Sequence, residues 1–271
     1  MTNTSGLRGV VFDWAGTIVD FGSLAPMGAF VSLFDKHGIE VSIAQARIPM
    51  GLPKLEHIRV LGRLPEVAQQ WQLRKGRSFG DDDARALLLE FEPMSAQAAM
   101  ERSDFIPGFL GLYAWLQQQG MRVSTTTGYT RTIMRPLIEK AQAQGFVPDL
   151  VVCCDDVAHS RPDPMGMHAC MEAMGLGQQS SLVLKVDDTA PGLAEGRNAG
   201  CWSVGVAASG NAMGWSLAQW QEGDSPRRQA ALAQARQLLR QAGAHEVIDT
   251  VADLPSAISA IHSRMQAGEQ P

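Results

Sequence analysis

The sequence predicts an α/β protein: a doubly wound, Rossmann-like parallel sheet with an all-α helical cap domain inserted after its first strand. Three observations carry that prediction. Short β-prone apolar runs alternate with longer stretches of helical spacing, the pattern of strands covered by helices. The runs are apolar nearly throughout, as expected of strands buried on both faces. The alternation breaks once, for about a hundred residues after the first run, far beyond an ordinary crossover.

The elements follow in order. Leu7–Phe12 is a β-prone run that stops at Asp13, and Met121–Thr126, Leu150–Cys154, Leu182–Val186 and Trp202–Val206 resemble it. Phe109–Gln119, Arg131–Gln144, Pro164–Met174 and Gly192–Asn198 lie between them with helical spacing, and Arg227–Ala242 reads as a surface helix. Within the long interval Pro26–His37 is helical and ends at Gly38, a C-cap signal. Ser42 is placed to cap the next helix, and Asp82 or Asp83 to cap Ala84–Phe91. The expected division is a core domain from residues 1–21 and 104–271, with a helical cap domain from residues 22–103.

Composition narrows the function classes. Of 271 residues, 45% are hydrophobic, enough to fill a core and exclude disorder as the main state. Lys and Arg total 23 against 28 Asp and Glu, a net charge of −5 that disfavours nucleic acid as a partner. No apolar run is long enough to span a membrane, and Met1–Arg8 lacks the order of a signal peptide. Cys153, Cys154, Cys170 and Cys201 form no CxxC pair and are expected to be reduced thiols. The expectation is a soluble cytoplasmic protein that takes a small-molecule substrate.

Ligands of open α/β sheets sit at the carboxyl ends of the strands. There the sequence puts Asp13, followed by Gly16-Thr17, then Thr126-Thr127-Gly128, Asp155-Asp156, Arg161 and Asp187-Asp188. A carboxylate nucleophile, hydroxyl and amide donors, a guanidinium and paired carboxylates suit phosphoryl transfer assisted by Mg²⁺. Asp155-Asp156 reads equally well as a solvated loop end. VVFDWAGT, TTGYT, SRPDP and KVDD, in that order from about Arg8 to Val206, resemble the haloacid dehalogenase superfamily of aspartyl-phosphate enzymes. The resemblance implies Asp13 as nucleophile and metal ligand, and Thr127 with the Gly128 N–H as phosphate donors. It further implies Arg161 as the anchoring cation, and Asp188 as a metal ligand with Asp187 as a further candidate.

One departure bears on the chemistry. Phosphatases and mutases of that superfamily carry a second Asp two residues beyond the nucleophile, which protonates the leaving alcohol; here that position is Ala15. The helical interval supplies a different group. In Met50-Gly51-Leu52-Pro53-Lys54-Leu55-Glu56-His57, Pro53 suits a helix's first turn and puts Lys54 and His57 on one face. A lysine that condenses with a carbonyl makes an electron sink, which is what cleavage of a carbon–phosphorus bond needs.

DWAGTxVD with Ala15, MGxxKxxHI at Met50–Ile58 and TTGYT at Thr126–Thr130 resemble the phosphonoacetaldehyde hydrolase (phosphonatase) family. That resemblance implies a C–P bond hydrolase working through a Schiff base on Lys54 and an aspartyl phosphate on Asp13, in 2-aminoethylphosphonate degradation. It implies Met50, His57 and Tyr129 around the imine, His57 relaying protons, the Ala15 backbone carbonyl on Mg²⁺, and a homodimer. Two positions depart from the family: Gly192, where some members carry a further Asp for which Asp187 stands in, and Ser23, where some carry Cys. The alternatives are a Mg-dependent phosphatase or phosphosugar mutase on the same scaffold, and a catalytically silent binding module.

Overall fold

A computed structural model describes residues 6–223 and 225–271; the first five residues of the Met1–Arg8 stretch lie outside the described residues. Among the described residues six strands form one parallel sheet: β1 (Gly9–Phe12), β2 (Arg122–Thr126), β3 (Val151–Val152), β4 (Val183–Asp187), β5 (Trp202–Val206) and β6 (Glu246–Ile248). Their spatial order is β3-β2-β1-β4-β5-β6. The strand order therefore reverses at β1, which has β2 on one side and β4 on the other, and such a switch point opens a crevice at the carboxyl edge.

Register does the rest. Phe12 pairs with Thr125 on one side and Val186 on the other, so Asp13 emerges beside Thr126 and Asp187. The Asp13 N–H extends the ladder by donating to the Val186 carbonyl at 2.9 Å. Val10, Phe12, Leu184, Val186, Trp202 and Val204 bury the strands in one apolar core with Phe109, Phe146 and Ile258.

The interval after β1 holds five helices: α1 (Ala25–Lys36), α2 (Ile43–Arg47), α3 (Lys54–Arg63), α4 (Pro65–Lys75) and α5 (Asp81–Glu101). Among its described residues there is no strand. Ser42 accepts from the Gln45 N–H while the Gln45 side chain accepts from the Ser42 N–H, closing the capping box that starts α2. α5 is much longer than the expected Ala84–Phe91. It begins at Asp81 because the Asp83 carboxylate reaches back to the Gly80 N–H at 2.9 Å, and it runs on through Pro93. Phe30 of α1 and Phe91 of α5 stack at 4.2 Å between ring centres, making a core for the helical segment.

The remaining helices are α6 (Phe109–Gln118), α7 (Arg131–Ala143), α8 (Met165–Ala173), α9 (Ala190–Asn198), α10 (Leu217–Gln221), α11 (Pro226–Gln241) and α12 (Leu254–Gln266). Thr189 caps α9 by accepting from the Gly192 N–H, so the helix starts at Ala190, two residues before the expected Gly192. No helix of the described residues is long and apolar enough to cross a membrane.

Candidate active site

Asp13, Ala15, Ser23, Met50, Lys54, Thr127, Gly128, Tyr129, Arg161 and Asp188 line one cleft between the sheet edge and the helical segment. The space between them is about 20 Å³, room for little more than a water molecule.

The strand-end loop is shaped around its carboxylates. Gly16 has φ +84°, and a Cβ there would fall 2.3 Å from Asp188 Oδ2, so both conformation and space require glycine. Arg161 is buried, and its Nη1 lies 2.8 Å from Asp13 Oδ1. Its other donors hold the Thr126 carbonyl, the Thr126 hydroxyl and Glu195 Oε2. Burial works against this charge, but Asp187, Asp13 and Glu195 outweigh it and raise the guanidinium pKa.

β2 stops at Thr126, which separates the two threonines. The Thr126 hydroxyl is consumed by Lys185 at 2.6 Å, Arg161 and Glu195, whereas Thr127 lines the cleft. Asp155 and Asp156 serve local structure: Asp155 accepts from the Arg131 N–H, and Asp156 accepts from the Cys153 N–H and pairs with Arg131.

Two members of this network escape a reading of the sequence. Lys185 sits fully buried in β4, 3.2 Å from both Asp187 Oδ2 and Glu195 Oε2. Its signal is a charge in the middle of an otherwise apolar strand run. Glu195 lies in α9 with nothing but helical spacing to mark it.

Asp13, Asp187 and Asp188 bring carboxylate oxygens within 4.8 Å of one another. Burial, then the charge of Asp187, raises Asp13 to about 6 against the pull of Arg161 and Lys185. Burial and its two neighbours push Asp188 well above the carboxylate range. For Asp187 burial acts in the same direction, yet Arg161 and Lys185 carry it below. Asp188 Oδ1 is buried without a hydrogen-bond partner among the described residues. Leaving Lys54 aside, four buried carboxylates (Asp13, Asp187, Asp188, Glu195) face two buried cations (Arg161, Lys185). Carboxylates that raise one another's pKa and an orphaned carboxylate oxygen are what a divalent cation would satisfy, so these residues fit a metal ion.

Across the cleft Lys54 opens α3, one position after Pro53, and is only 4% exposed. Its Nζ lies 4.6 Å from the centre of the Tyr129 ring and 5.7 Å from that of Phe30. Burial lowers the amine from 10.5 to about 8, against the opposing pull of Cys154 and Asp13. The partial positive charge of a helix N-terminus acts in the same direction. Tyr129 stays protonated, because burial raises its phenol well above 10.

His57 follows one turn later but does not line the cleft. It stacks on Phe30 at 3.7 Å, and its Nε2 lies 2.9 Å from the Ala46 carbonyl. Burial and Lys54 keep it neutral, and its Nδ1 has no hydrogen-bond partner among the described residues.

The family model described as "haloacid dehalogenase-like hydrolase" matches residues 7–200. The chain is 44% identical over 266 residues to a phosphonoacetaldehyde hydrolase of Bordetella pertussis, covering 98% of this chain and 96% of the relative. Its identity to a phosphonoacetaldehyde hydrolase of Paraburkholderia xenovorans is 43%, with 98% and 99% covered. A crystal structure of a phosphonoacetaldehyde hydrolase-like protein from Oleispira antarctica superposes with a TM-score of 0.95 at 40% identity, covering 98% and 96%. A β-phosphoglucomutase from Clostridium difficile shares the fold alone, with a TM-score of 0.69 at 15% identity over 96% and 99% of the two chains. A parallel sheet with its carboxylates at the switch point, and relatives matched over nearly their full length, lead to one conclusion: the chain belongs to the phosphonoacetaldehyde hydrolase family of haloacid dehalogenase-like hydrolases.

Proposed function

We propose that this enzyme hydrolyses the carbon–phosphorus bond of phosphonoacetaldehyde to acetaldehyde and phosphate, through a Schiff base on Lys54 and a phosphoryl group on Asp13. The observation that carries it is a buried lysine, its pKa lowered to about 8, in the same cleft as a strand-end aspartate held by Arg161. A lysine that faced solvent would be almost wholly protonated near neutral pH and would add to a carbonyl far more slowly.

The neutral Lys54 amine attacks the aldehyde carbon, and with one proton taken up from solvent water departs, leaving an iminium one carbon away from the C–P bond. The Asp13 oxygen not held by Arg161 then attacks phosphorus. The C–P electron pair moves onto carbon and into the iminium, giving a neutral enamine and an aspartyl phosphate. Protonation of the enamine carbon and hydrolysis of the imine release acetaldehyde and free Lys54, and water cleaves the acyl phosphate to release phosphate. No acid is needed for a leaving oxygen, in accord with Ala15 two residues after the nucleophile. That same residue argues against a phosphatase or phosphosugar mutase.

Thr127 and the Gly128 N–H are proposed to hold the phosphoryl oxygens, with Arg161 balancing their charge. Met50 and Tyr129 wall the imine. His57, with Nε2 engaged by the Ala46 carbonyl, is proposed to offer Nδ1 as a proton acceptor beside Lys54. Asp13, Asp188, the Ala15 carbonyl and Asp187 are proposed to hold Mg²⁺, which when bound neutralises the carboxylates and the developing phosphoryl charge. The reading includes a cytoplasmic homodimer serving 2-aminoethylphosphonate degradation; a monomeric mass by light scattering would contradict the dimer.

Borohydride trapping tests the Schiff base. Treatment with phosphonoacetaldehyde and borohydride together is expected to inactivate the enzyme and leave a reduced adduct on Lys54 by peptide mass. An active preparation that forms no adduct contradicts the mechanism.

A further inference from the structure

Arg47 is the last residue of α2, in the helical segment, yet its guanidinium is spent on the core and on the linker that follows β1. Nη1 donates to the Asn211 carbonyl at 3.1 Å, Asn211 Oδ1 at 2.8 Å and the Gly22 carbonyl at 3.3 Å, and Nη2 donates to the Gly214 carbonyl at 3.4 Å. Gly214 has φ +65°, and a Cβ there would fall 2.6 Å from Arg47 Cζ, so the turn is shaped to admit this side chain.

The same turn carries catalytic geometry. The Asn211 N–H donates to Asp188 Oδ2 at 2.6 Å, and a Cβ on Gly210 would fall 2.7 Å from Asp188 Cβ. Ser209 donates its hydroxyl to the Gly16 carbonyl at 2.8 Å, and its backbone carbonyl accepts from the Gly22 N–H at 2.7 Å. On the other side, Arg47 leads directly into the loop that supplies Met50 to the cleft. Gly51 in that loop is pressed against the core, since a Cβ there would fall 2.4 Å from Thr189 Oγ1. Pro49, Met50 and Gly51 are buried, whereas Ile48 is 65% exposed and a cavity of about 410 Å³ opens beside it between Arg47, Pro49, Asn211 and Leu238.

We propose that Arg47 is a positioning residue, an interdomain latch that ties closure of the Met50–Leu52 loop over the cleft to the turn that orients Asp188. A forked, charged donor that spans three carbonyls and an amide oxygen has no equivalent in a lysine. The loop borders the cleft on the side of Met50 and Gly51, so parting from the core would widen the cleft for a substrate, and the latch weights the closed state.

Hydrogen exchange read by mass spectrometry tests this on the full-length enzyme without substrate. Arg47→Ala is expected to accelerate exchange over residues 48–52 and 209–215 on the order of tenfold, with β4 and β5 unchanged. Arg47→Lys is expected to do so to a lesser degree. The kinetic arm rests on the proposed reaction: kcat/KM should fall by about tenfold or more, chiefly through KM. Wild-type exchange in both segments of Arg47→Ala overturns the latch. So does acceleration spread evenly over the sheet, which is the signature of a purely structural residue, or an Arg47→Lys enzyme with wild-type exchange and kinetics. The exchange arm holds no substrate, so it stands or falls apart from the reading of the reaction.

Discussion

At the scale of single residues, Lys54 is where burial and chemistry meet. An ammonium removed from water is destabilised relative to the amine, and with its pKa near 8 a useful fraction of the side chain is neutral at physiological pH. Only the neutral amine adds to an aldehyde, so kcat/KM for phosphonoacetaldehyde should rise with pH and level off above about 8. Two pH units below that point it should lie about a hundredfold lower, the fraction of free amine having fallen by that factor. A profile flat from pH 6 to 9 contradicts an amine nucleophile. Asp13 and Lys54 are opposite cases of the same burial: one carboxylate raised toward neutrality, one amine lowered toward it.

At the scale of elements, the packing of α9 against the end of β4 sets where a carboxylate can stand. A Cβ on Gly192 would fall 1.9 Å from Asp187 Oδ2, so the Asp187 carboxylate fills the volume that a side chain at 192 would occupy. Gly192→Ala should therefore lower the thermal unfolding temperature by an amount equivalent to about 1–3 kcal/mol, the usual range for overpacking. In an Asp187→Gly background the space is free and the penalty should shrink, a non-additivity expected of residues in direct contact. Equal penalties in both backgrounds would contradict the overlap.

Much of this element structure is legible in the sequence because periodicity reports burial. Trp202–Val206 is a strand over the expected residues, and Ser42 caps the expected helix. What periodicity does not report is a side chain that acts across elements. Asp83 lengthens α5 by bonding backwards to Gly80, β6 is an edge strand of three residues with little pattern to read, and Lys185 hides its charge in an apolar run. The candidate site residues were readable because they gather at strand ends, except that Lys54 and Met50 come from a separate helical segment, and only motif resemblance joins them to Asp13. His57 shares a helix face with Lys54, but its stack on Phe30 and the engagement of its Nε2 by the Ala46 carbonyl are tertiary contacts no spacing reveals.

At the scale of the whole molecule, the sheet edge gathers the buried carboxylates Asp13, Asp187 and Asp188, and in the proposed reaction the helical segment supplies the amine that turns a phosphoryl-transfer scaffold toward a C–P bond. The cluster of Asp13, Asp187 and Asp188 predicts that Mg²⁺ raises the unfolding temperature by binding the folded state alone. An unchanged unfolding temperature at millimolar Mg²⁺ would contradict that metal assignment. The most direct measurement for the account as a whole is phosphate release from phosphonoacetaldehyde by wild type and Lys54→Arg, side by side with Mg²⁺ present. The account predicts turnover by the wild type and a loss of at least about a thousandfold in Lys54→Arg, which keeps a positive charge but has no amine to accept the electron pair. A Lys54→Arg enzyme that releases phosphate at the wild-type rate would contradict it.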